Sequence, residues 1–350
     1  MVPSRLEERS LLASRLAAQL LSGTPAGDVV AATRHLLAVQ GQDPRGARLA
    51  LRARTAGGRA SAVDYALTRE RSLIITWVNR GTLHLIATED EPLLHALTTP
   101  QLRANSDRSL RQEGVSEAAA RRAITAIVKA LADDGPLTRG QIRAVLEQER
   151  VPTVGYATTH LLFRATLDGL IVRGPMIGRD HAFVLAADWF GERPKIDRDR
   201  ALAELARRYL AGHGPAEDRD LAKWAQLPLR DARAGLEAIA SELEQRHDGL
   251  VDLRRTETPP LPPPRLLGPF DPLLLGWRSR SLVLGSASAT QVVTVNGIIK
   301  AIALIDGRAA GTWRMSAGRV ELDLWQRQSR ATTAALRQEA AVVEAYLTPD

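Results

Sequence analysis

The sequence predicts an α+β fold, mainly α, with three tandem modules of helices and a hairpin followed by a small β-rich domain. Two observations predict this fold. Apolar residues recur at helical spacing and then give way to strand and turn signals three times along the chain. A proline-rich stretch then separates these repeats from a region of strands and turns. The predicted domains cover residues 1–100, 101–195, 196–258 and 265–350.

The first module has helices followed by a hairpin. The apolar spacing predicts helices over Leu6–Leu21, Val29–Val39, Ala47–Arg54 and Val63–Thr68. Leu73–Val78 and Thr82–Ala87 are rich in β-forming residues, and Asn79-Arg80-Gly81 between them is typical of a hairpin turn. Helices followed by a two-stranded hairpin indicate a winged helix.

The second module repeats this order. Helices are predicted over Ser116–Ala132 and Tyr156–Leu170, and Thr138 is the expected N-cap of a shorter helix between them. A hairpin joins Leu170–Arg173 to Ala182–Leu185. Its turn carries Arg179 at the tip, beside an apolar pair that can wedge into a groove.

The third module is shorter and leads into the β-rich domain. Its predicted helices are Arg198–Leu210, Ala216–Trp224 and Leu229–Ala240, and its hairpin strands are Leu243–Arg246 and Leu250–Leu253. Pro259–Pro264 is expected to be a stiff, extended linker. Beyond it we expect strands over Thr290–Ile305, Gly311–Met315 and Val320–Leu324, and a last helix over Thr332–Leu347.

The composition limits the possible function. The chain has 350 residues and a net charge of +7, and all its basic residues except four lysines are arginines. Arginine forms bidentate contacts with phosphate, so a polyanion such as nucleic acid is a favoured partner. GC-rich coding, which enriches arginine and alanine together, explains the same bias without a partner. The absence of cysteine excludes disulfides and thiolate catalysis, and the scattered histidines give no reason to expect a metal.

The charged N-terminus and the lack of any run of about 18 apolar residues predict a cytoplasmic protein without a membrane partner.

The segment Gln40-Gly41-Gln42-Asp43 is the main candidate for a catalytic site. Residues two apart in an extended segment point to the same side, so Gln40 and Gln42 can hold one water between them. Taken alone the pattern is weak, because two polar residues after a helix usually only solvate a loop. The chain lacks a phosphate-binding glycine loop, a zinc-protease motif and a nucleophile elbow, which leaves few other chemistries.

Several longer segments resemble one family, the AlkZ/YcaQ-type winged-helix DNA glycosylases. The segments are 77–85, which reads WVNRGTLHL, 214–224, 268–277, which reads GPFDPLLLGW, and 305–313, which reads IDGRAAGTW. They occur in the right order, and the resemblance runs from about Arg5 to about Ala340. It implies tandem winged helices that form a concave DNA-binding scaffold, followed by a C-terminal β-domain.

The resemblance also implies catalytic residues and a reaction. The family signature is glutamine, an apolar residue, then glutamine or aspartate, which places Gln40 and Gln42 on the functional positions and Gly41 where a larger residue is usual. The implied reaction is hydrolysis of the bond between deoxyribose and a bulky N7-alkylated purine in double-stranded DNA. Unhooking of interstrand crosslinks, DNA repair and self-resistance to an alkylating natural product fall within what the family does. A monomer without a cofactor is expected.

Other residues are weaker candidates for the same site. Asp43 is a possible general base, but Asp-Pro commonly caps a turn or helix, and this structural interpretation is preferred. His84 can face the glutamine pair, hydrogen-bond a phosphate or simply be packed. No lysine lies near the motif along the sequence, which argues against Schiff-base chemistry and favours a monofunctional enzyme. Candidate DNA contacts are Arg45, Arg48, Arg52, Arg80, Arg173 and Arg179.

Two other functions remain open from the sequence. A noncatalytic winged-helix DNA-binding protein, such as a transcription regulator, would use the same glutamines to contact DNA. Three winged helices in one chain count mildly against it. A protein-interaction scaffold would have no need of the glutamine pair.

Overall fold

The structure is a computed structural model that describes residues 5–178, 180–254, 260–285 and 289–348. It contains two compact units. The central unit is residues 64–201, and the discontinuous unit combines residues 1–63 with 202–350. The units therefore cut across the predicted first module, whose helices and hairpin fall into different units.

The chain is mixed α/β, as expected. The α-helices are α1 (Arg5–Ala18), α2 (Val29–Leu36), α3 (Pro44–Arg52), α4 (Ser61–Tyr65), α5 (Glu91–Thr98), α6 (Pro100–Gln112), α7 (Glu117–Asp134), α8 (Arg139–Gln148), α9 (Ala157–Leu167), α10 (Ala186–Phe190), α11 (Arg198–His213), α12 (Asp218–Ala225), α13 (Leu229–Ala238), α14 (Ser281–Leu284), α15 (Ala289–Val292) and α16 (Arg330–Leu347). The strands are β1 (Val39–Gln40), β2 (Leu73–Val78), β3 (Thr82–Ala87), β4 (Ile171–Ile177), β5 (Asp180–Leu185), β6 (Leu243–Gln245), β7 (Val251–Leu253), β8 (Arg265–Leu267), β9 (Ile302–Ile305), β10 (Arg308–Ser316) and β11 (Arg319–Leu324).

Local signals in the sequence correspond closely to these elements. β2 and β3 have the predicted bounds and pair antiparallel, with Thr76 opposite His84. Thr138 caps α8 in a capping box with Gln141, which satisfies backbone donors at both positions. Ser116 likewise caps α7 by accepting from the backbone N–H of Ala119.

The central unit joins the two predicted hairpins in one antiparallel sheet. Its strand order is β3-β2-β4-β5, and Ile75 of β2 pairs with Arg173 of β4. Helices α7 and α9 pack on this sheet, and α8 packs against these two helices, in a core that includes Trp77, Leu161 and Phe183. The first two hairpins thus share one hydrophobic core instead of closing separate modules.

The discontinuous unit contains the C-terminal sheet, with strand order β11-β10-β9-β8, and the separate β6-β7 hairpin. Its core brings Leu49 of α3 together with Leu266, Trp313 and Leu336 from the end of the chain. The helix that follows the glutamine motif is therefore held by residues more than 200 positions away in the sequence.

The structure also differs from the predicted elements. The helix expected over 29–39 ends at Leu36, because Leu37 adopts φ 64° and breaks the helical geometry. The start of the strand predicted over 290–305 is instead the short helix α15. β4 continues to Ile177, which shortens the predicted turn. Arg179 and Pro259, which were predicted at a turn tip and in the linker, lie outside the described residues.

No helix in the described part of the chain has the length and apolar character needed to cross a membrane.

Candidate active site

The glutamine motif occupies a short, constrained connection between α2 and α3. Leu37, fully buried at its start, is in the positive-φ region that non-glycine residues rarely adopt. β1 then carries Gln40, and α3 begins at Pro44. Proline at the first helical position and an aspartate before it both favour a helix start here. The two glutamines are therefore fixed between one helix end and one helix start.

Gln40 and Gln42 contact each other directly. Nε2 of Gln40 donates to Oε1 of Gln42 at 2.8 Å. Gln40 is 7 % exposed, whereas Gln42 is exposed to solvent. A primary amide has two donors and two acceptor lone pairs, so this bond leaves most of the hydrogen-bonding capacity of Gln42 for another group. The two side chains lie on one side of the segment, as predicted, but they bond directly to each other and do not hold a water between these two atoms.

Gly41 between them is buried, and it is not among the glycines with positive φ. Its own backbone conformation therefore does not require glycine.

Asp43 caps α3. Its Oδ1 accepts from the backbone N–H of Gly46 at 2.9 Å, in the manner of an N-cap aspartate. The structural interpretation of the Asp-Pro pair is thus confirmed. Because the cap uses Oδ1, any contact of Asp43 with a water or substrate would have to use the other oxygen.

Close packing against the segment Gly268–Pro269 holds the start of α3 in place. A Cβ atom on Gly46 would lie 2.5 Å from the carbonyl oxygen of Pro269, and a Cβ atom on Gly268 would lie 2.8 Å from Cβ of Leu49. Only glycine permits such an approach at either position.

A buried ion pair joins Arg54, two residues after the end of α3, to Asp271, two residues after Pro269. Arg54 and Asp271 are both fully buried, and their side chains form a bidentate pair at 2.8 Å and 3.0 Å. Arg54 also donates to Oε1 of Gln19 at 2.9 Å. A bidentate guanidinium–carboxylate pair fixes geometry strongly when it is shielded from water. We infer that Asp271, within the GPFDPLLLGW segment, positions the helix that carries the motif.

The arginines predicted along α3 fall into two groups. Arg48 is buried and donates to the carbonyl of Pro44 at 2.8 Å. Arg52 is buried and pairs with Glu339 at 2.7 Å. Both guanidinium groups thus have partners inside the unit. Their burial argues against contacts of Arg48 and Arg52 with DNA. Arg45 is exposed.

A cavity of about 670 Å³ lies beside the motif in the discontinuous unit. Asp43 and Arg45 line one side of it, and Lys300, Arg314 and Glu321 are among its other lining residues. Lys300 thus lines the same cavity as Asp43, although the two residues are 257 positions apart along the chain (300 − 43). Sequence spacing alone could not have placed it there.

His84 belongs to the central unit, so a role facing the glutamines stays a prediction. It is 1 % exposed, and its Nδ1 donates to the carbonyl of Thr82 at 2.9 Å. Burial, followed by the nearby charge of Arg80, lowers the pKa of His84 to about 3. The imidazole is therefore neutral near pH 7, where it can accept a hydrogen bond at Nε2 but cannot serve as a proton donor from a charged ring.

The other predicted DNA contacts of the central unit differ in exposure. Arg80 lies half-buried in the β2–β3 turn. Arg173 lies against two aromatic rings, with its guanidinium carbon 5.0 Å from the Trp77 ring centroid and 4.6 Å from that of Phe183. Trp77 is part of the core of the central unit.

The AlkZ-like DNA glycosylase family model matches residues 33–346 of this chain. This match covers most of both units. The chain belongs to the AlkZ-like DNA glycosylase family.

A sequence relative and a solved structure of this kind are similar to the chain. An interstrand DNA cross-link repair glycosylase from Streptomyces sahachiroi is 29% identical over 304 residues, which is 78% of this chain and 78% of that protein. The solved structure of the Streptomyces sahachiroi DNA glycosylase AlkZ superposes with a TM-score of 0.78 and 24% identity, covering 97% of this chain and 96% of that chain. The similarity therefore extends to the fold of nearly the whole molecule.

Membership in the AlkZ-like family places the glutamine motif within an enzyme that acts on DNA bases. The family match begins at residue 33 and so includes Gln40, Gln42 and Asp43. The long-range contacts around the motif, chiefly Arg54–Asp271, were missed from the sequence because nothing local marks them.

Proposed function

We propose that this protein hydrolyses the N-glycosidic bond of bulky N7-alkylated purines in double-stranded DNA, with Gln40 and Gln42 positioning the attacking water. The observation that carries the proposal is the direct contact between the two amides, held at the start of α3. The family membership supports DNA glycosylase chemistry as the reaction class.

The chemistry suits uncharged amides. Alkylation at N7 makes the purine cationic and therefore a good leaving group, so a strong general acid is not needed. The deoxyribose develops oxocarbenium character as the bond breaks, and amide oxygens stabilise positive charge at the anomeric carbon. Holding the water in line with that carbon supplies much of the remaining rate enhancement.

Asp43 has a smaller part in this proposal. Its cap on α3 keeps Gln42 at the helix start, and a carboxylate is not required as a base when the leaving group is cationic. His84, neutral and buried, is proposed only as a possible hydrogen-bond acceptor for the substrate. Arg45 and Arg80 are the proposed phosphate contacts that remain from the sequence prediction, together with Arg173, whose surroundings are treated below.

Interstrand crosslinks are a further proposed substrate. The curated relative is named for cross-link repair, and a crosslink through purine N7 would carry the same cationic leaving group. Tandem winged helices, a small C-terminal β-domain, a monomeric state, a cytoplasmic location and a role in self-resistance also belong to this proposal.

The test measures base release under single-turnover conditions. Duplex DNA with one N7-methylguanine, one bulkier N7 adduct or one N7 crosslink is incubated with the parent and with the variants Gln40→Ala and Gln42→Ala. We expect each variant to lower the release rate about a hundredfold, the usual cost of removing one preorganised polar group at a reacting centre. Gln326→Ala is the matched control, because Gln326 is exposed and lies beyond β11.

Two further variants separate the roles of Asp43 and Lys300. Asparagine caps helices as well as aspartate does, so Asp43→Asn is expected to keep the rate within about threefold. A loss near a hundredfold would instead make Asp43 a general base. Borohydride trapping of the parent and of Lys300→Ala tests for a Schiff base, which we expect in neither. Intact DNA binding without release of any adduct would overturn the hydrolytic function and favour a noncatalytic DNA-binding protein.

A further inference from the structure

A second cavity, contained within the central unit, is rich in arginine. It has a volume of about 550 Å³ and lies at the β4–β5 hairpin and the N-termini of α8 and α9. We call it the arginine cavity. The lining residues used below are Arg139, Arg143, Thr158, Thr159, Arg173 and Asp180.

Arg173 is held rigidly in the wall of this cavity. Its guanidinium lies against the rings of Trp77 and Phe183, which are themselves stacked with centroids 6.3 Å apart. Its buried Nε has no hydrogen-bond partner within the described part of the chain. Burial, and then repulsion from Arg139, lowers the pKa of Arg173 to about 10. An anion in the cavity would offset the repulsion between the guanidinium groups of Arg139 and Arg173.

The charges on the other side chains leave the cavity positive. Arg143 is paired with Glu147 at 2.9 Å, so its charge is partly compensated. Arg139 is exposed at the first position of α8, and none of the carboxylates in the described ranges forms an ion pair with it. Asp180, which is exposed, is the one carboxylate among the described lining residues. The guanidinium groups of Arg139 and Arg173 outnumber this one lining carboxylate, so the lining attracts an anion.

The start of α9 adds backbone donors to the same cavity. Its N-cap residue, Tyr156, provides no side-chain cap. Glu113 accepts from the backbone N–H of Tyr156 at 3.0 Å, which satisfies the residue before the helix. The N–H groups of Thr158 and Thr159 lie in the first turn, where helix geometry provides no intrahelical acceptor. Helix starts of this kind bind phosphate through these donors and the helix dipole.

Thr158 provides the observation that is independent of the helix end. Its side chain is 5 % exposed, and its hydroxyl has no hydrogen-bond partner among the described residues. A buried hydroxyl without a partner is unfavourable unless a ligand or a water forms a hydrogen bond with it. Hydroxyl, backbone N–H and guanidinium groups are the donors that together recognise phosphate oxygens.

We propose that the arginine cavity binds a phosphate group, through Arg139, Arg173, the Thr158 hydroxyl and the first turn of α9. The source of the phosphate is either the DNA backbone or a free phosphate compound. The DNA case rests on the proposed function, since the bound phosphate would then belong to the substrate duplex. The cavity contains neither glutamine, so the contact positions DNA and takes no part in hydrolysis.

The test uses unmodified duplex DNA, so that binding is measured without base release. Arg139→Ala and Thr158→Val are compared with the parent by fluorescence anisotropy over a range of salt concentrations. Arg139→Ala is expected to weaken binding about tenfold and to reduce the logarithmic salt slope by about 0.9, the value for one lost phosphate contact. Thr158→Val removes a hydroxyl at constant charge and size, so it is expected to weaken binding about threefold with an unchanged slope.

Arg122→Ala is the matched control, because Arg122 is exposed on α7 in the same unit and does not line the cavity. It is expected to have a smaller effect on binding and slope than Arg139→Ala. Both cavity variants change residues at the start of a helix, so circular dichroism spectra and thermal midpoints establish that they remain folded.

A second measurement identifies the source. Inorganic phosphate is titrated into the parent and into Arg139→Ala, and binding is followed by phosphorus NMR line broadening. Loss of duplex binding in the cavity variants supports the proposal with DNA as the source. Unchanged duplex binding, with phosphate binding that Arg139→Ala abolishes, supports it with a free phosphate as the source.

If both ligands bind all variants as they bind the parent, the phosphate site is overturned. That result would leave the proposed base release intact, because release is measured separately on alkylated duplexes. Conversely, failure of base release with weakened duplex binding in Arg139→Ala would overturn the catalytic function and keep the phosphate site.

Discussion

The arginines of the α3 region and those of the arginine cavity show two opposite uses of the same side chain. Arg52 and Arg54 are buried, and each has a carboxylate partner from the distant C-terminal part of the chain. Arg139 and Arg173 instead share a cavity in which Asp180 is the one described lining carboxylate. The first group completes an internal network, and the second leaves positive charge at a surface opening.

The comparison shows why a count of arginines says little about DNA binding. The net charge of +7 does not distinguish the two groups, because an arginine in an internal ion pair and an arginine at the surface are counted alike. What separates the groups is the presence of a carboxylate partner, which depends on contacts distant in sequence. Arg54 and Asp271, for example, are 217 positions apart.

The largest expected effect comes from breaking the buried pair. Arg54→Met leaves Asp271 charged and fully buried without its main partner, so we expect a loss of about 3–5 kcal/mol in the free energy of unfolding. The measurement is urea denaturation near pH 7. Since removal of both charges avoids an uncompensated one, the double variant Arg54→Met/Asp271→Leu is expected to be more stable than Arg54→Met alone.

Arg122→Met is the control for that experiment, because Arg122 is exposed and its change is expected to cost at most about 0.5 kcal/mol. If Arg54→Met were as mild as this control, the pair would not stabilise the helix that follows the glutamine motif.

The second effect concerns His84, a buried titratable group in the central unit. Its pKa is about 3 in the folded protein and near 6.5 when unfolded, so the unfolded chain binds one more proton between these values. Stability from this histidine is therefore present above pH 6.5 and is lost as the pH falls towards 3, by about 1.4 kcal/mol for each pH unit. We expect His84→Gln to remove this dependence.

The measurement is the free energy of unfolding at pH 6.5 and pH 4.5, where the parent is expected to lose about 2–3 kcal/mol more than His84→Gln. His95, whose pKa burial also lowers, contributes in the same direction in both proteins. An equal loss in parent and variant would show that His84 is not the buried group responsible.

The smallest effect compares two neighbours on α3. Arg45 is exposed beside the glutamine motif, whereas Arg48 is buried and donates to the carbonyl of Pro44. Arg45→Ala is expected to weaken duplex binding about threefold and to lower the logarithmic salt slope by up to about 0.9. Arg48→Ala is expected to reduce stability and to leave the slope unchanged. Equal slopes for the two variants would remove Arg45 from the proposed DNA contacts.

Local features of this protein were predictable from its sequence because they depend on neighbouring residues. The bounds of β2 and β3 follow from β-forming residues on both sides of a turn, and the Thr138 cap follows from its spacing to Gln141. The placement of Gln40 and Gln42 on one side follows from their alternation in an extended segment, whereas their direct hydrogen bond was not predicted. The family resemblance implied a catalytic role for the two glutamines, and the family match confirms membership of the family.

Features that depend on distant contacts were not predictable in the same way. The end of α2 is set by Leu37, whose positive φ no sequence rule assigns to leucine. The shared sheet requires Ile75 to pair with Arg173, almost 100 positions away. Lys300 reaches the cavity beside Asp43 through the C-terminal sheet. Each case depends on packing between segments that are distant in the sequence, and the residues next to either segment do not identify its partner.

The close approach of Gly46 to Pro269 has a consequence for how related sequences are interpreted. A methyl group at position 46 would overlap the carbonyl oxygen of Pro269, so α3 would have to move away from the segment it packs against. Such a chain would retain Gln40 and Gln42 in its sequence, yet the start of α3 that follows them would be displaced. Glycine at position 46, together with glycine at position 268, is thus part of what keeps the two amides in their observed contact.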